Sequence, residues 1–169
     1  EKYKSFEVIF VDDGSTDGSW EKIKILDVNN PGKVKGIQFR KNIGKSAALM
    51  AGFQIASGDI IATMDADLQD EPEEIPSMIE KLNQGFDLVS GWKKDRKDPV
   101  EKKWASKVFN FVTAKLSGLE LHDFNCGFKV YRREVVEKIH IYGELHRYIP
   151  FLAHHLGFRV GEMPVQHNP

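Results

Sequence analysis

Phe6-Glu7-Val8-Ile9-Phe10-Val11-Asp12-Asp13-Gly14-Ser15-Thr16-Asp17-Gly18-Ser19 begins as a short, apolar, β-branched run and empties into an acidic, glycine-containing turn. Such a run reads as a strand buried on both faces, the kind found in parallel sheets, and the turn leads into a helix expected over Gly18–Asp27. Asp17 or Ser15 can cap that helix, which leaves Asp12 and Asp13 without a structural duty. In open α/β sheets ligands bind beyond the carboxyl ends of the strands. A carboxylate in that place can accept a hydrogen bond from a ribose hydroxyl or a base N–H.

A second acidic strand end follows the apolar run Gly58-Asp59-Ile60-Ile61-Ala62-Thr63-Met64. There the chain continues Asp65-Ala66-Asp67-Leu68-Gln69-Asp70-Glu71-Pro72. In an extended chain alternate side chains share a direction, so Asp65, Asp67 and Gln69 are expected to point together. All three are hard oxygen donors of the kind preferred by Mg²⁺ and Mn²⁺, and a site this sparse suits an ion that also takes phosphate oxygens from its ligand. The plainer reading is an acidic loop in which Asp70 or Glu71 caps a helix starting near Pro72. If both acidic ends belong to one sheet, they face one cleft.

Between and after these points β and α alternate. Strands are expected at 6–11, 34–39, 58–64 and 86–91, with helices at about 18–28, 45–56 and 72–84, which gives βαβ units and a parallel sheet. Further on, Glu101–Leu116 reads as an amphipathic helix and Gly127–Arg132 as a strand. Arg133–Lys138 starts a helix and Phe158–Pro164 is a closing strand. Arg40-Lys41-Asn42-Ile43-Gly44-Lys45 ends the second strand, where the N–H groups of a helix start either bind a phosphate or simply form a turn.

With 169 residues and 41% hydrophobic content, the chain is sized for one domain. No apolar run reaches the roughly 20 residues that span a bilayer. The 24 Lys and Arg against 25 Asp and Glu exclude a general nucleic-acid binder. Lys93, Lys94, Arg96, Lys97, Lys102, Lys103 and Lys107 nevertheless form a local basic segment. The single cysteine, Cys126, permits no internal disulfide and fits a reducing compartment. No His and Cys spacing suggests zinc, and His122, His140, His154 and His155 read as surface or core residues.

Val11-Asp12-Asp13-Gly14-Ser15-Thr16-Asp17, Asn42-Ile43-Gly44-Lys45-Ser46-Ala47-Ala48-Leu49 and Asp65-Ala66-Asp67-Leu68-Gln69-Asp70-Glu71-Pro72, in this order, resemble the inverting GT-A glycosyltransferases of family 2. The resemblance continues through Gly91-Trp92-Lys93-Lys94-Asp95-Arg96, Asp123-Phe124-Asn125-Cys126-Gly127-Phe128-Lys129 and Gly143-Glu144-Leu145-His146-Arg147-Tyr148-Ile149-Pro150. It covers nearly the whole chain, and these later motifs look like the branch that makes polyprenyl-phosphate sugars. Members of the family open with one more strand, and members of this branch continue into a membrane region. The resemblance therefore implies one GT-A, Rossmann-like catalytic domain, a mostly parallel sheet flanked by helices, cut from a longer protein and lacking its first strand.

The same resemblance implies a nucleotide-sugar donor, UDP- or GDP-linked, held by Asp12, Asp13, Lys45 and Asp65. It implies Mg²⁺ or Mn²⁺ on Asp65, Asp67 and Gln69, and a polyprenyl phosphate gripped by Lys93, Arg96, Lys102 and Lys103 at the cytoplasmic face of a membrane. Asp67, Asp123 and Arg96 would carry catalysis. Because a phosphate acceptor is already an anion, positive groups matter more than a base, and Asp123 either orients the sugar or a basic side chain or acts as general base. The basic segment reads equally as a solvated face that attracts anionic lipid. His146 and Arg147 fit the family pattern, and His167 is a further cleft residue. Two other functions compete: a family 2 transferase to a sugar hydroxyl, whose processive members carry a Gln-x-x-Arg-Trp motif that is absent here, and a phosphoacceptor receiver module suggested by Val11-Asp12-Asp13.

Overall fold

The structure, a computed structural model, describes residues 5–93, 119, 121–166 and 168. Arg96, Lys102, Lys103, His167 and the helix expected over Glu101–Leu116 lie outside the described residues. The chain forms two compact units. The first runs to Asp59 and adds the return segment His140–His146; the second comprises Ile60–Ile139 and the chain from Arg147 onward.

In the first unit, β1 (Val8–Asp12) and β2 (Val34–Gln38) are parallel, with Val8 opposite Val34 and Asp12 opposite Gln38. α1 (Ser19–Asn29) joins them and packs on β2, while α2 (Lys45–Ile55) packs on β1. Gly18, with φ 82 and no side-chain cap bond, is the N-cap of α1, so neither Ser15 nor Asp17 occupies that position, though Asp17 stands one residue before it. Asp17 Oδ1 accepts the Ser19 backbone N–H at 3.1 Å and the Ser19 hydroxyl at 2.6 Å, and that hydroxyl holds the Asp17 carboxyl below its ordinary value.

The second unit holds β3 (Ile60–Thr63), β4 (Leu88–Lys93), β5 (Lys129–Arg132) and β6 (Val160–Val165), ordered β3-β5-β4-β6. β3 and β4 do run in the same direction, as a βαβ unit requires, but they are not neighbours: β5 lies between them, antiparallel to both. β4 and β6 pair in parallel. The crossover from β3 to β4 thus skips one position in the sheet, which a later strand fills.

The helix expected at 72–84 is two pieces, a 3₁₀ turn at Pro72–Glu74 and α3 (Ile75–Asn83). A continuous α-helix would need an N–H on Pro76 to reach the Pro72 carbonyl, and proline has none. α3 buries Met78, Ile79 and Leu82 against Val89, Phe128 and Val130, the centre of this unit's core. α4 (Arg133–Lys138) follows β5, and α5 (Ile149–His155) packs on β4 and β6. Among the described residues no helix is long and apolar enough to cross a membrane.

Candidate active site

At the end of β1 the two carboxylates are engaged by their own unit. Asp12, 4% exposed, accepts the Ser15 N–H at 2.8 Å and faces the Gln38 amide at 3.5 Å. The Ser15 hydroxyl chiefly holds its carboxyl below the ordinary value, against the opposite pull of burial. Asp13 accepts the backbone N–H groups of Ile43 and Gly44 at 2.8 and 2.9 Å. Those two groups therefore serve a carboxylate of the same chain, whereas the sequence leaves open that they bind phosphate. Gly14 makes this closure possible: with φ +80, it lies so close to Lys41 and Asn42 that a Cβ would fall 2.6 Å from their backbone atoms. Lys45 then opens α2, beside a buried Ser46.

In the second unit the strand ends at Thr63, before the acidic loop begins. Strand alternation therefore does not organise Asp65, Asp67 and Gln69. A turn does: Asp67 Oδ1 accepts the Gln69 N–H at 3.1 Å, and Leu68 between them has φ 62, in the left-handed region. Asp65 lies against Gly127, where a Cβ would stand 2.7 Å from its Oδ2. The Gly127 carbonyl accepts the Thr63 hydroxyl at 2.9 Å, which ties the end of β3 to the approach of β5.

Glu71 stands at the N-cap of the following helical turn, but no side-chain cap bond is made there, and Asp70 is not the cap. Asp70 instead forms an ion pair with Lys93 at 2.7 Å, both side chains being buried (0% and 6% exposed). Apart from that pair, neither Asp70 oxygen has a hydrogen-bond partner among the described residues. Lys93, expected at an acceptor phosphate, is thus already committed to a buried carboxylate at the end of β4.

Asp123, 5% exposed, accepts the Asn125 N–H at 2.9 Å and begins the loop that leads to Gly127. Buried Lys129 donates to the Cys126 carbonyl. Burial pushes the Cys126 thiol up, away from nucleophilic use. His122 is a surface residue stacked on Trp92, with ring centroids 4.0 Å apart, and paired with Glu162. His146 belongs to the first unit and meets Ser46. The sequence reading missed Ser46, Gln38 and the partner of Asp70. The one local sign was a serine at the head of an otherwise apolar helix.

Among the described residues no three His, Cys, Asp or Glu side chains gather into a metal cage. The donors on the acidic loop are two carboxylates and one amide, all oxygen. That chemistry fits Mg²⁺ or Mn²⁺ with the remaining positions filled by a ligand's oxygens.

Residues 1–140 match the family described as Glycosyl transferase family 2, and the chain belongs to that family. It is 39% identical over 164 residues to an undecaprenyl-phosphate 4-deoxy-4-formamido-L-arabinose transferase of Aeromonas hydrophila, covering 97% of this chain and 50% of that protein. It is 37% identical over 167 residues to a dodecaprenyl-phosphate galacturonate synthase of Rhizobium johnstonii, covering 96% and 49%. The chain thus spans about half the length of the curated relatives it matches. In fold it is similar to glucosyl-3-phosphoglycerate synthase of Mycobacterium tuberculosis (TM-score 0.69, 20% identity, 96% of this chain and 61% of that one). It is similar too to a mannosyltransferase of Pyrobaculum calidifontis solved with GDP-Man and Mn²⁺ (TM-score 0.68, 21% identity, 94% and 45%). These likenesses identify the fold as GT-A.

Proposed function

We propose that the chain is the catalytic part of an inverting glycosyltransferase that moves a sugar from a UDP- or GDP-sugar to the phosphate of a polyprenyl phosphate. The observation that carries this reading is the identity of 35–39% with proteins named for undecaprenyl or dodecaprenyl phosphate, spread over almost the whole chain. Asp65, Asp67 and Gln69 hold Mg²⁺ or Mn²⁺, whose charge offsets the negative charge that grows on the departing diphosphate. Lys45 meets the donor's phosphates. Asp12 and Asp13, whose oxygens accept N–H groups of their own turns, serve the donor by fixing the loops around it.

The acceptor phosphate is an anion at neutral pH, so the reaction needs no dedicated base. Asp123, held in its turn by Asn125, orients rather than deprotonates. Arg96, with Lys102 and Lys103, grips the acceptor phosphate, and a guanidinium does so through two N–H groups at once. Lys93, neutralised by Asp70, holds the end of the acidic loop instead. The long isoprenoid chain of the acceptor places this chemistry at a membrane surface, on the cytoplasmic face where sugar nucleotides are supplied.

The test is Asp67→Asn in the full-length protein, assayed with a panel of sugar nucleotides, Mn²⁺ and polyprenyl phosphate. Turnover should fall by about 10²–10³-fold, the scale of one lost transition-state contact, with an unchanged circular dichroism spectrum. Undiminished Mn²⁺-dependent turnover would remove the metal assignment. Transfer to a neutral sugar alcohol as fast as to polyprenyl phosphate would remove the acceptor.

A further inference from the structure

Leu68 has a left-handed backbone although its side chain is 86% exposed, so its own packing does not hold it there. A residue in that conformation persists only where its surroundings over-determine it. The Asp67 carboxylate, which accepts the Gln69 N–H, holds one side of the turn. The other side is held by the chain that follows β6. Asn168 donates its backbone N–H to the Gln69 carbonyl at 3.0 Å and its side-chain amide to the Glu71 carboxylate. The Gln166 N–H meets both oxygens of Glu74 at 3.1 Å. Val165 and Lys93 stand opposite each other at the ends of β6 and β4, so neighbouring strand ends lead to three consecutive loop residues. Asn168 takes Gln69 and Glu71, and Lys93 takes Asp70 between them. All these groups belong to the second unit.

We infer that the segment after β6 is a strap that keeps the acidic loop in its ion-binding form, and that Asn168 is a positioning residue for Gln69. With its N–H and its carbonyl both engaged, Gln69 has a fixed backbone, and the direction in which its side chain leaves the loop is fixed with it. Asp67 is tied into the same turn. The strap acts through the loop: it removes freedom that an arriving ion would otherwise have to remove at a cost in affinity. Coupling of this kind is reciprocal, so an ion on the loop must in turn hold the strap. The strap follows from the hydrogen bonds; that the loop takes Mg²⁺ or Mn²⁺ rests on the function proposed above.

The experiment titrates the full-length protein with Mn²⁺ alone, free ion being read by electron paramagnetic resonance, and needs no turnover. Asn168→Ala should weaken Mn²⁺ by about tenfold, the worth of one good hydrogen bond, with the melting temperature little changed. Asn168→Asp sets two carboxylates against each other and should weaken Mn²⁺ too, although an added negative charge by itself favours a cation. Asn168→Asp combined with Glu71→Gln exchanges amide and carboxylate, keeps the bond and the net charge, and should restore the parent's affinity. In hydrogen-exchange mass spectrometry, Mn²⁺ should slow exchange in the peptide carrying Gln166–Asn168, and should fail to do so in Asp67→Asn. If Asp67→Asn weakens Mn²⁺ while Asn168→Ala does not, or if the exchanged pair binds as weakly as Asn168→Asp, the positioning role is overturned and the strap serves stability alone. If the peptide exchanges equally fast with and without Mn²⁺ in the parent, the coupling is overturned. If Asp67→Asn binds Mn²⁺ as the parent does, the metal reading itself fails and takes this inference with it.

Discussion

A methyl group added at Gly127 would stand 2.7 Å from Asp65 Oδ2, a side-chain atom that can swing aside. One added at Gly14 would stand 2.6 Å from backbone atoms of Lys41 and Asn42, which cannot, at a φ of +80 that penalises any side chain. The two substitutions should therefore fail differently. Gly127→Ala should unfold within about 1 kcal/mol of the parent in urea yet bind Mn²⁺ at least about tenfold more weakly, because the carboxylate has moved. Gly14→Ala should lose about 2–4 kcal/mol of stability. The buried Lys93 and Asp70 form a third case. Lys93→Met leaves a carboxylate buried without its partner and should cost about 3–5 kcal/mol, whereas Lys93→Met combined with Asp70→Leu should cost much less than the two single changes added together. Additive losses in urea titrations would mean the two groups do not interact.

Between elements, Glu7 links three pieces of the first unit. Its carboxylate accepts from Lys35 on β2 at 2.7 Å and from the Ser57 N–H after α2 at 2.6 Å. Lys35 and Ser57 lower its carboxyl from 4.5 to about 2. The folded state therefore prefers the ionised form, so the stabilisation is full above about pH 4.5 and is lost as pH falls toward 2. Glu7→Gln should be less stable than the parent at pH 7, and the gap should close in that acid window. A constant gap in thermal melts from pH 6 to 3 would refute the link. The strands and the first two helices were legible from their apolar runs and turns, because those signals are local. The break before Pro76 was legible too, had the donor to Pro72 been sought. The form of the acidic loop was not, since nothing in a leucine announces the left-handed backbone of Leu68. Neither was the meeting of Ser46 with His146, which stand 100 residues apart.

For the whole molecule the open question is what the basic segment serves, a phosphate or a membrane. If Arg96 grips the acceptor through a planar fork, Arg96→Lys should lower kcat/KM for a short polyprenyl phosphate by at least about tenfold and leave donor affinity alone. If the segment serves only the membrane surface, Arg96→Lys should be silent, while each charge removed should weaken vesicle binding by about 1 kcal/mol in a salt-dependent way. The path of the chain carries a last consequence. Because the first unit is completed by His140–His146, a ribosome must finish all of Ile60–Ile139 before the early strands and helices can close around Ser46. At about 5–20 residues per second that interval lasts seconds. During synthesis, then, β1 and α2 wait for a segment not yet made, and a nascent chain stalled before Gly143 should be cut by protease in its first 59 residues, where one stalled well past His146 should resist.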